Sequence, residues 1–326
     1  MSCATLILNS MDIVASDSEN SNDEMPLVKR RRLSGSCNAT SRRTMVKKLW
    51  FPDGDIVLAI EKRLLKVHRR RLCCSTVFSD MLHIPQPPET DQIDGCPSVE
   101  LVGDTLADWE VSLGWIYDHN YFQQNIVTFD LLSGALRIAT KYDIGGLRQW
   151  AVNELLSRWP EDVANLSLNA LPHAAEAINL AQECNVPEIL PSCFYALSVQ
   201  KFRSSADGGR SHIILSPNDL RRLIAGREAL QDALVRIIVD PLTEAGCYNN
   251  AFCGQCAPRR LEYWRTRLAP DPKSVWSTWL VRELEQMLRD DQFVNSLCSD
   301  CVHAHLSTIR WRLGRLRCSI SSFFLL

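Results

Sequence analysis

The stretch Pro52-Asp53-Gly54-Asp55-Ile56-Val57-Leu58-Ala59-Ile60-Glu61-Lys62-Arg63-Leu64-Leu65-Lys66-Val67-His68-Arg69 decides the fold of the N-terminal half. Pro-Asp-Gly is turn chemistry, because proline presets φ and glycine accepts positive φ. Residues 55–61 then form an apolar, β-rich run that suits a mostly buried strand. Residues 64–68 read as its partner, with Glu61-Lys62-Arg63 as the hairpin turn. After His68 the period changes to helical over 69–83, where Leu72, Val77, Phe78, Met81 and Leu82 make an apolar face and Ser75 or Ser79 offers a cap.

Outward from this hairpin, residues 85–97 (PQPPETDQIDGCP) read as a loop and 99–102 as a third strand. Asp104 or Thr105 caps a helix carrying Leu106, Trp109, Leu113, Trp115 and Ile116. Residues 120–127 connect it to a helix over 128–142, with Leu131, Leu132, Leu136, Ile138 and Ala139 facing inward. Gly145-Gly146 breaks that helix, and 147–159 forms the next. Upstream, order is expected from about Trp50. Residues 1–46 read as a disordered tail: SDSENSNDE at 16–24 is acidic and lacks apolar periodicity. The charge then reverses through Lys29, Arg30, Arg31 and Arg32 to Arg42, Arg43, Lys47 and Lys48. Two basic clusters with a polar spacer fit a bipartite nuclear import signal, or a solvated basic tail.

From Pro160 onward the pattern is helical: 174–184, 187–199, 217–224, 226–239 and 275–288, the last with Trp276, Trp279, Leu280, Leu284 and Leu288 at helical spacing. Residues 203–210 read as a loop. The expected class is α+β, with a tail over 1–46, a sheet–helix module over 47–160 and an all-α region over 161–326. Lys plus Arg is 36 and Asp plus Glu is 38, a net charge of −2, which argues against a surface that coats nucleic acid or anionic membrane. No apolar run is long enough to span a bilayer, and no secretory leader is expected, so the reading is a nuclear or cytoplasmic protein without a membrane partner.

The run Asp53-Gly54-Asp55-Ile56-Val57-Leu58 followed by Lys66-Val67-His68-Arg69 resembles the start of a BTB/POZ domain. Ser75-Thr76-Val77-Phe78-Ser79-Asp80-Met81, Val99-Glu100-Leu101 and Leu136-Arg137-Ile138-Ala139-Thr140-Lys141-Tyr142-Asp143-Ile144 follow in that family's order. The likeness covers residues 47–160. The acidic and basic tail, the Trp50-to-Asp55 run and Ile84-Pro85-Gln86-Pro87-Pro88 are similar to the BTB-domain proteins of mushroom-forming fungi, which also carry a helical C-terminal half with Cys-x-x-Cys. The resemblance implies a non-catalytic interaction module that assembles with itself or another BTB protein. It also implies two more specific roles: substrate adaptor of a cullin-type ubiquitin ligase, or zinc-containing nuclear transcription regulator. Where cullin-binding members tend to carry a hydrophobic-x-Glu element, this chain has a longer insert with Pro87-Pro88-Glu89. Leu72, Phe78, Met81 and Leu82 would serve either the dimer or the core. Asp55 matches an acidic residue of the family's charged pocket, and His68 reads as a residue that orients the strand–helix corner by a hydrogen bond.

Thirteen scattered cysteines point to a reducing compartment and mostly free thiols. Two pairs stand apart, Cys253-Gly-Gln-Cys256 and Cys298-Ser-Asp-Cys301, separated by positions 257–297. Two dithiol pairs are what a structural zinc requires, with four thiolates in a tetrahedron. Arg259, Arg260, Arg310 and Arg312 would offset its charge, and His303, His305 or Cys247 are substitute ligands. The alternatives are buried free thiols on helices and a redox Cys-x-x-Cys. No phosphate-binding glycine loop, nucleophile elbow or H-E-x-x-H occurs, so no enzymatic motif is read. Arg310, Arg312, Arg315 and Arg317 are expected to form a solvated surface, so nucleic acid is not an expected partner.

Overall fold

A computed structural model describes residues 43–84, 92–167, 170–200, 214–242, 253–269 and 279–326. The hairpin forms as the sequence dictates. Strand β2 (Ile56–Ile60) is buried at every position and pairs antiparallel with β3 (Arg63–Val67), Ile60 opposite Arg63. The two-residue turn leaves Glu61 at φ 53.

Three further strands complete a sheet in the order β1-β3-β2-β5-β4. Strand β1 (Thr44–Trp50) pairs parallel with β3, so the fold begins inside the segment read as tail and before Trp50. Its sequence conceals this, because on an edge strand only Val46 is buried while Lys47 and Lys48 face outward. The segment read as a loop over 85–97 contains β4 (Gln92–Ile93). It turns through Asp94-Gly95, both at positive φ, into β5 (Cys96–Glu100). Asp-Gly in a two-residue turn is a strong hairpin signal. The expected strand over 99–102 is therefore displaced to Cys96–Glu100, parallel to β2, and Val102 is exposed beyond it.

The helix expected over 69–83 is two helices, α1 (Arg69–Leu72) and α2 (Thr76–His83), because Ser75 stops the first and caps the second through Phe78 N–H. Thr105, not Asp104, caps α3 (Leu106–Tyr117). Asp104 instead turns inward, where its carboxylate accepts from the Trp109 indole (2.8 Å), the Tyr142 hydroxyl (2.5 Å) and Lys141 (2.5 Å). The connection over 120–127 includes a short helix, α4 (Tyr121–Gln124). Thr128 caps α5 (Phe129–Lys141), which ends at Asp143 in a left-handed turn. Gly145-Gly146 does not break it but opens α6 (Gly145–Arg158).

The C-terminal region is α7 (Ala174–Glu183), α8 (Leu190–Ser198), α9 (Pro217–Val239), α10 (Cys256–Leu268), α11 (Leu280–Leu288), α12 (Asp291–Val294) and α13 (Ser299–Phe323). At the centre lies α8, buried from Ser192 to Ser198 as expected of a helix apolar all round. The Tyr195 hydroxyl accepts from Val281 N–H at the start of α11. That helix covers Leu280–Leu288 with Trp279 as its N-cap, and positions 275–278 of the expected helix, including Trp276, lie outside the described residues. Two expected helices, 217–224 and 226–239, are one helix. Gly226 is not a break but a contact: a Cβ there would stand 2.0 Å from the Phe324 ring of α13. The arginines of α13 do not form a uniform solvated surface. Arg312 is buried, donates to the Asp240 carbonyl (2.6 Å) and lies over the Trp264 ring, while Arg317 pairs with Asp162. No helix among the described residues is long and apolar enough to cross a membrane.

The Gly226 contact gives a test of opposed signs. Helix propensity alone favours alanine by about 1 kcal/mol, whereas overpacking costs roughly 1–3 kcal/mol. Gly226→Ala is expected to lower the urea midpoint; a raised midpoint would show that α9 and α13 do not meet there.

Candidate functional site

The two cysteine pairs meet. The sulfurs of Cys253, Cys256, Cys298 and Cys301 all lie within 4.8 Å of one another. The Cys253-Gly-Gln-Cys256 turn enters α10, with Cys256 N–H (3.0 Å) and Ala257 N–H (2.9 Å) donating to the Cys253 carbonyl. Cys298 is the N-cap of α13, and Cys301 lies in its first turn. Both pairs thus stand at helix N-termini, where unpaired N–H groups and the helix dipole favour negative charge.

What brings them together is a grip between α10 and the turn before α13. The Tyr263 hydroxyl donates to the Asp290 carboxylate (2.7 Å), and its ring stacks on Phe293 with centroids 3.7 Å apart. Arg259 donates to the Ser296 carbonyl (3.0 Å), two residues before Cys298. Asp290 caps α12 through Phe293 N–H (3.1 Å). Of these residues only Arg259 carried a signal in the sequence, as a counter-charge rather than as a link to the Ser296 carbonyl.

Within the quartet the thiols are unequal. N–H groups of Cys256 and Gln255 hold Cys253 down to about 7, whereas burial, then the neighbouring Cys298 and Cys256 side chains, pushes Cys301 up to about 11. The geometry suits one metal ion. A tetrahedron with metal–sulfur bonds of about 2.3 Å has sulfurs about 3.8 Å apart, a small contraction from what is present. A two-iron cluster would divide its ligands between two ions and spread them further. The four thiols are free of disulfides and gathered in one cluster rather than set apart on separate helices.

Of the four expected charge partners, Arg259 and Arg260 lie in the first turns of α10, whereas the other two are distant. Arg310 and Arg312 follow Cys301 by about 14 and 17 Å along the axis of α13, at the helical rise per residue. His303 is exposed, and the candidate quartet among the described residues contains no histidine. His305 lies one turn past Cys301 and is buried against Tyr263, Trp264 and Phe293, with no hydrogen bond to either ring nitrogen. Burial first, then Arg260, lowers its pKa to about 4. Cys247 lies outside the described residues.

At the other end of the chain, Asp55 and His68 serve one corner. Asp55 Oδ1 accepts from Arg69 N–H (2.7 Å) at the start of α1. His68 Nδ1 meets the Tyr117 hydroxyl (2.8 Å), its Nε2 faces Asp53 (3.2 Å), and Phe51 stacks on Tyr117. The hydrogen bond to His68 holds Asp53 below the usual carboxylate range. Asp53, Phe51 and Tyr117 were not legible as partners; Tyr117 comes from a separate helix. Of the four apolar interaction candidates, Leu72 and Phe78 are core (each 1% exposed), while Met81 and Leu82 keep partial exposure. The import candidates Lys29, Arg30, Arg31, Arg32 and Arg42 lie outside the described residues. Arg43 pairs with Glu100, Lys48 pairs with Glu110, and Lys47 is exposed on β1.

His305 makes the pH response testable. Its folded value lies below the unfolded one, about 6.5, so the unfolded chain binds the extra proton. Stability from the neutral ring is complete above about 6.5 and falls as pH drops toward about 4. His305→Phe removes two buried, unpaired nitrogens and keeps the aromatic packing. It is expected to match or exceed the wild type at pH 7 and to lose less stability at pH 5, read from urea midpoints. Since the thiolates titrate in both proteins, the difference isolates the histidine; equal losses would refute its role.

No model of a known protein family matches the chain, and no curated protein matches it.

Proposed function

We propose that this chain is a non-catalytic interaction protein of the BTB/POZ kind that its sequence resembles. Its sheet–helix module would join a second copy or another such module, and its helical region would be stapled by a structural zinc. The observation that carries the interaction reading is the outward side of α2. Val77 in the first turn of α2 and Ile84 at its C-cap are 44% and 62% exposed, with half-buried Met81 between them. Apolar side chains presented outward on a helix favour association by removing that surface from water. The element order also supports the reading: a buried hairpin, two short helices, a strand parallel to β2, then packed helices.

For the zinc, the support is the sulfur quartet itself. Four thiolates from two separated pairs form a closed, all-protein set, the donor chemistry of a structural rather than a catalytic site. Cys256 and Cys301 are buried, so the ion would lie partly inside the protein.

Two measurements test these readings separately. Light scattering coupled to size exclusion on the full chain is expected to give a multiple of the chain mass, and Val77→Glu with Ile84→Glu to give a monomer. Because both positions are exposed, the unfolding midpoint should move little, by about 0.5 kcal/mol or less per site. A wild type that stays monomeric at the highest attainable concentration and retains no partner removes the interaction reading. Elemental analysis should find about one zinc per chain, lost on Cys256→Ser or Cys301→Ser, with chelation lowering the melting temperature. Metal-free protein with an unchanged melting temperature on zinc addition removes the zinc.

A further inference from the structure

The sulfur quartet has an inside and an outside. Cys256 and Cys301 are buried (5% and 0% exposed), Cys253 is half-buried and Cys298 is exposed. Each pair therefore contributes one inner and one outer sulfur. Sulfur contacts run within and across the pairs: Cys253 meets both Cys256 and Cys298, and Cys301 meets both Cys298 and Cys256. The outer edge thus joins the two helices, while the inner edge is shielded by protein.

We propose that the quartet is a peroxide-responsive metal site in which the outer pair, Cys253 and Cys298, is oxidised to a disulfide and the ion is released. This rests on the zinc reading above. Hydrogen peroxide, the oxidant, meets the exposed Cys298 first. That thiolate attacks one peroxide oxygen, the O–O bond breaks, and a sulfenic acid forms as hydroxide leaves. The Cys253 thiolate, within 4.8 Å, then attacks the Cys298 sulfur, forming the S–S bond and expelling a second hydroxide. The two sulfurs lose two electrons, the peroxide gains them, and two protons convert the hydroxides to two waters. Two thiolates, Cys256 and Cys301, remain, too few to close a tetrahedral site, so Zn²⁺ dissociates. The new bond links the turn before α10 to the N-cap of α13, so a covalent tie replaces the metal tie between the same two helix ends.

This chemistry differs from oxidation within each pair. A Cys253–Cys256 disulfide would close a loop inside one turn and leave the helices unlinked. It also differs from bystander oxidation at Cys73, Cys74 and Cys318, which are exposed free thiols outside the quartet.

The test uses the full chain with its zinc content measured first, in wild type and in a Cys73→Ser, Cys74→Ser, Cys318→Ser variant that keeps the quartet. Protein without zinc refutes the metal reading before any oxidant is added. For zinc-loaded protein, stoichiometric hydrogen peroxide is expected to release about one equivalent of zinc into a chromophoric chelator, equally in both proteins. Non-reducing peptide mapping should recover Cys253 joined to Cys298, and dithiothreitol with added zinc should restore the original content. Zinc retained under peroxide, release only in the wild type, or a map dominated by Cys253–Cys256 or Cys298–Cys301 would each overturn the proposal while leaving the zinc site standing.

Discussion

The fold depends on burying α5 from both sides. Leu132 and Leu136 point into the core of the helical region, while Ala135, Ile138 and Ala139 point into the core beneath the sheet. α6 repeats the division, with Leu147 on the sheet side and Ala151 and Leu155 on the helical side. Because one helix pair completes two cores, separating the regions would expose apolar surface on both, at about 25 cal/mol per Å². The small residues of α5 follow from this crowding: at Gly134 a Cβ would stand 2.3 Å from a carboxylate oxygen of Asp108 on α3. The buried Asp104 carboxylate ties α3 to the end of α5 within the sheet-side core. It gathers the Trp109, Lys141 and Tyr142 donors, which is how a buried charge is tolerated.

The cysteine-bearing helices join the helical core through Trp264 and Leu268 of α10 and Ile309 and Leu313 of α13, beyond the sulfur quartet itself. From α10 only Cys256, Arg260, Trp264 and Leu268 are buried, a single face, and α12 buries nothing. Packing at this end centres on one aromatic cluster, Tyr263, Trp264 and Phe293 around His305, whose nitrogens are unsatisfied. An ion held by the quartet would tie the start of α10 to the start of α13, the helix ends that lie outside this core packing.

How much of this was legible follows the range of the interactions. The β2–β3 hairpin and the α5 cap at Thr128 rest on neighbouring residues, and the sequence reads them directly. β1 was hidden because its partner is β3, reached only after a complete strand, and its exposed side carries Lys47-Lys48. The Asp94-Gly95 hairpin was readable but lay in a segment whose prolines suggested a loop. The sequence carried the helical pattern through Gly226 but gave no reason for a glycine there, because that reason, Phe324, is far along the chain. Arg312 looked like solvated charge because the Asp240 carbonyl and Trp264 ring that receive it come from other segments. The cysteine spacing revealed each dithiol pair, but their meeting depends on Tyr263, Asp290 and Arg259, which no spacing rule marks.

The same comparison locates the charge balance of the sulfur site. Spacing suggested arginines as counter-ions, yet Arg259 is bonded to a backbone carbonyl and Arg312 is used deep in the α9–α13 interface. The backbone adds positive potential of its own. Two helices begin at the quartet, each contributing roughly half a positive charge at its N-terminus, against the two net negative charges of a zinc tetrathiolate. N–H groups of Gln255 and Cys256 already lower the Cys253 thiol in this way. A side-chain counter-ion would lose rotamer freedom to do the same work, whereas peptide dipoles are fixed once α10 and α13 form. This part of the site's electrostatics is therefore a consequence of where the two helices start, and moving either start by one residue would misplace both a ligand and its counter-charge.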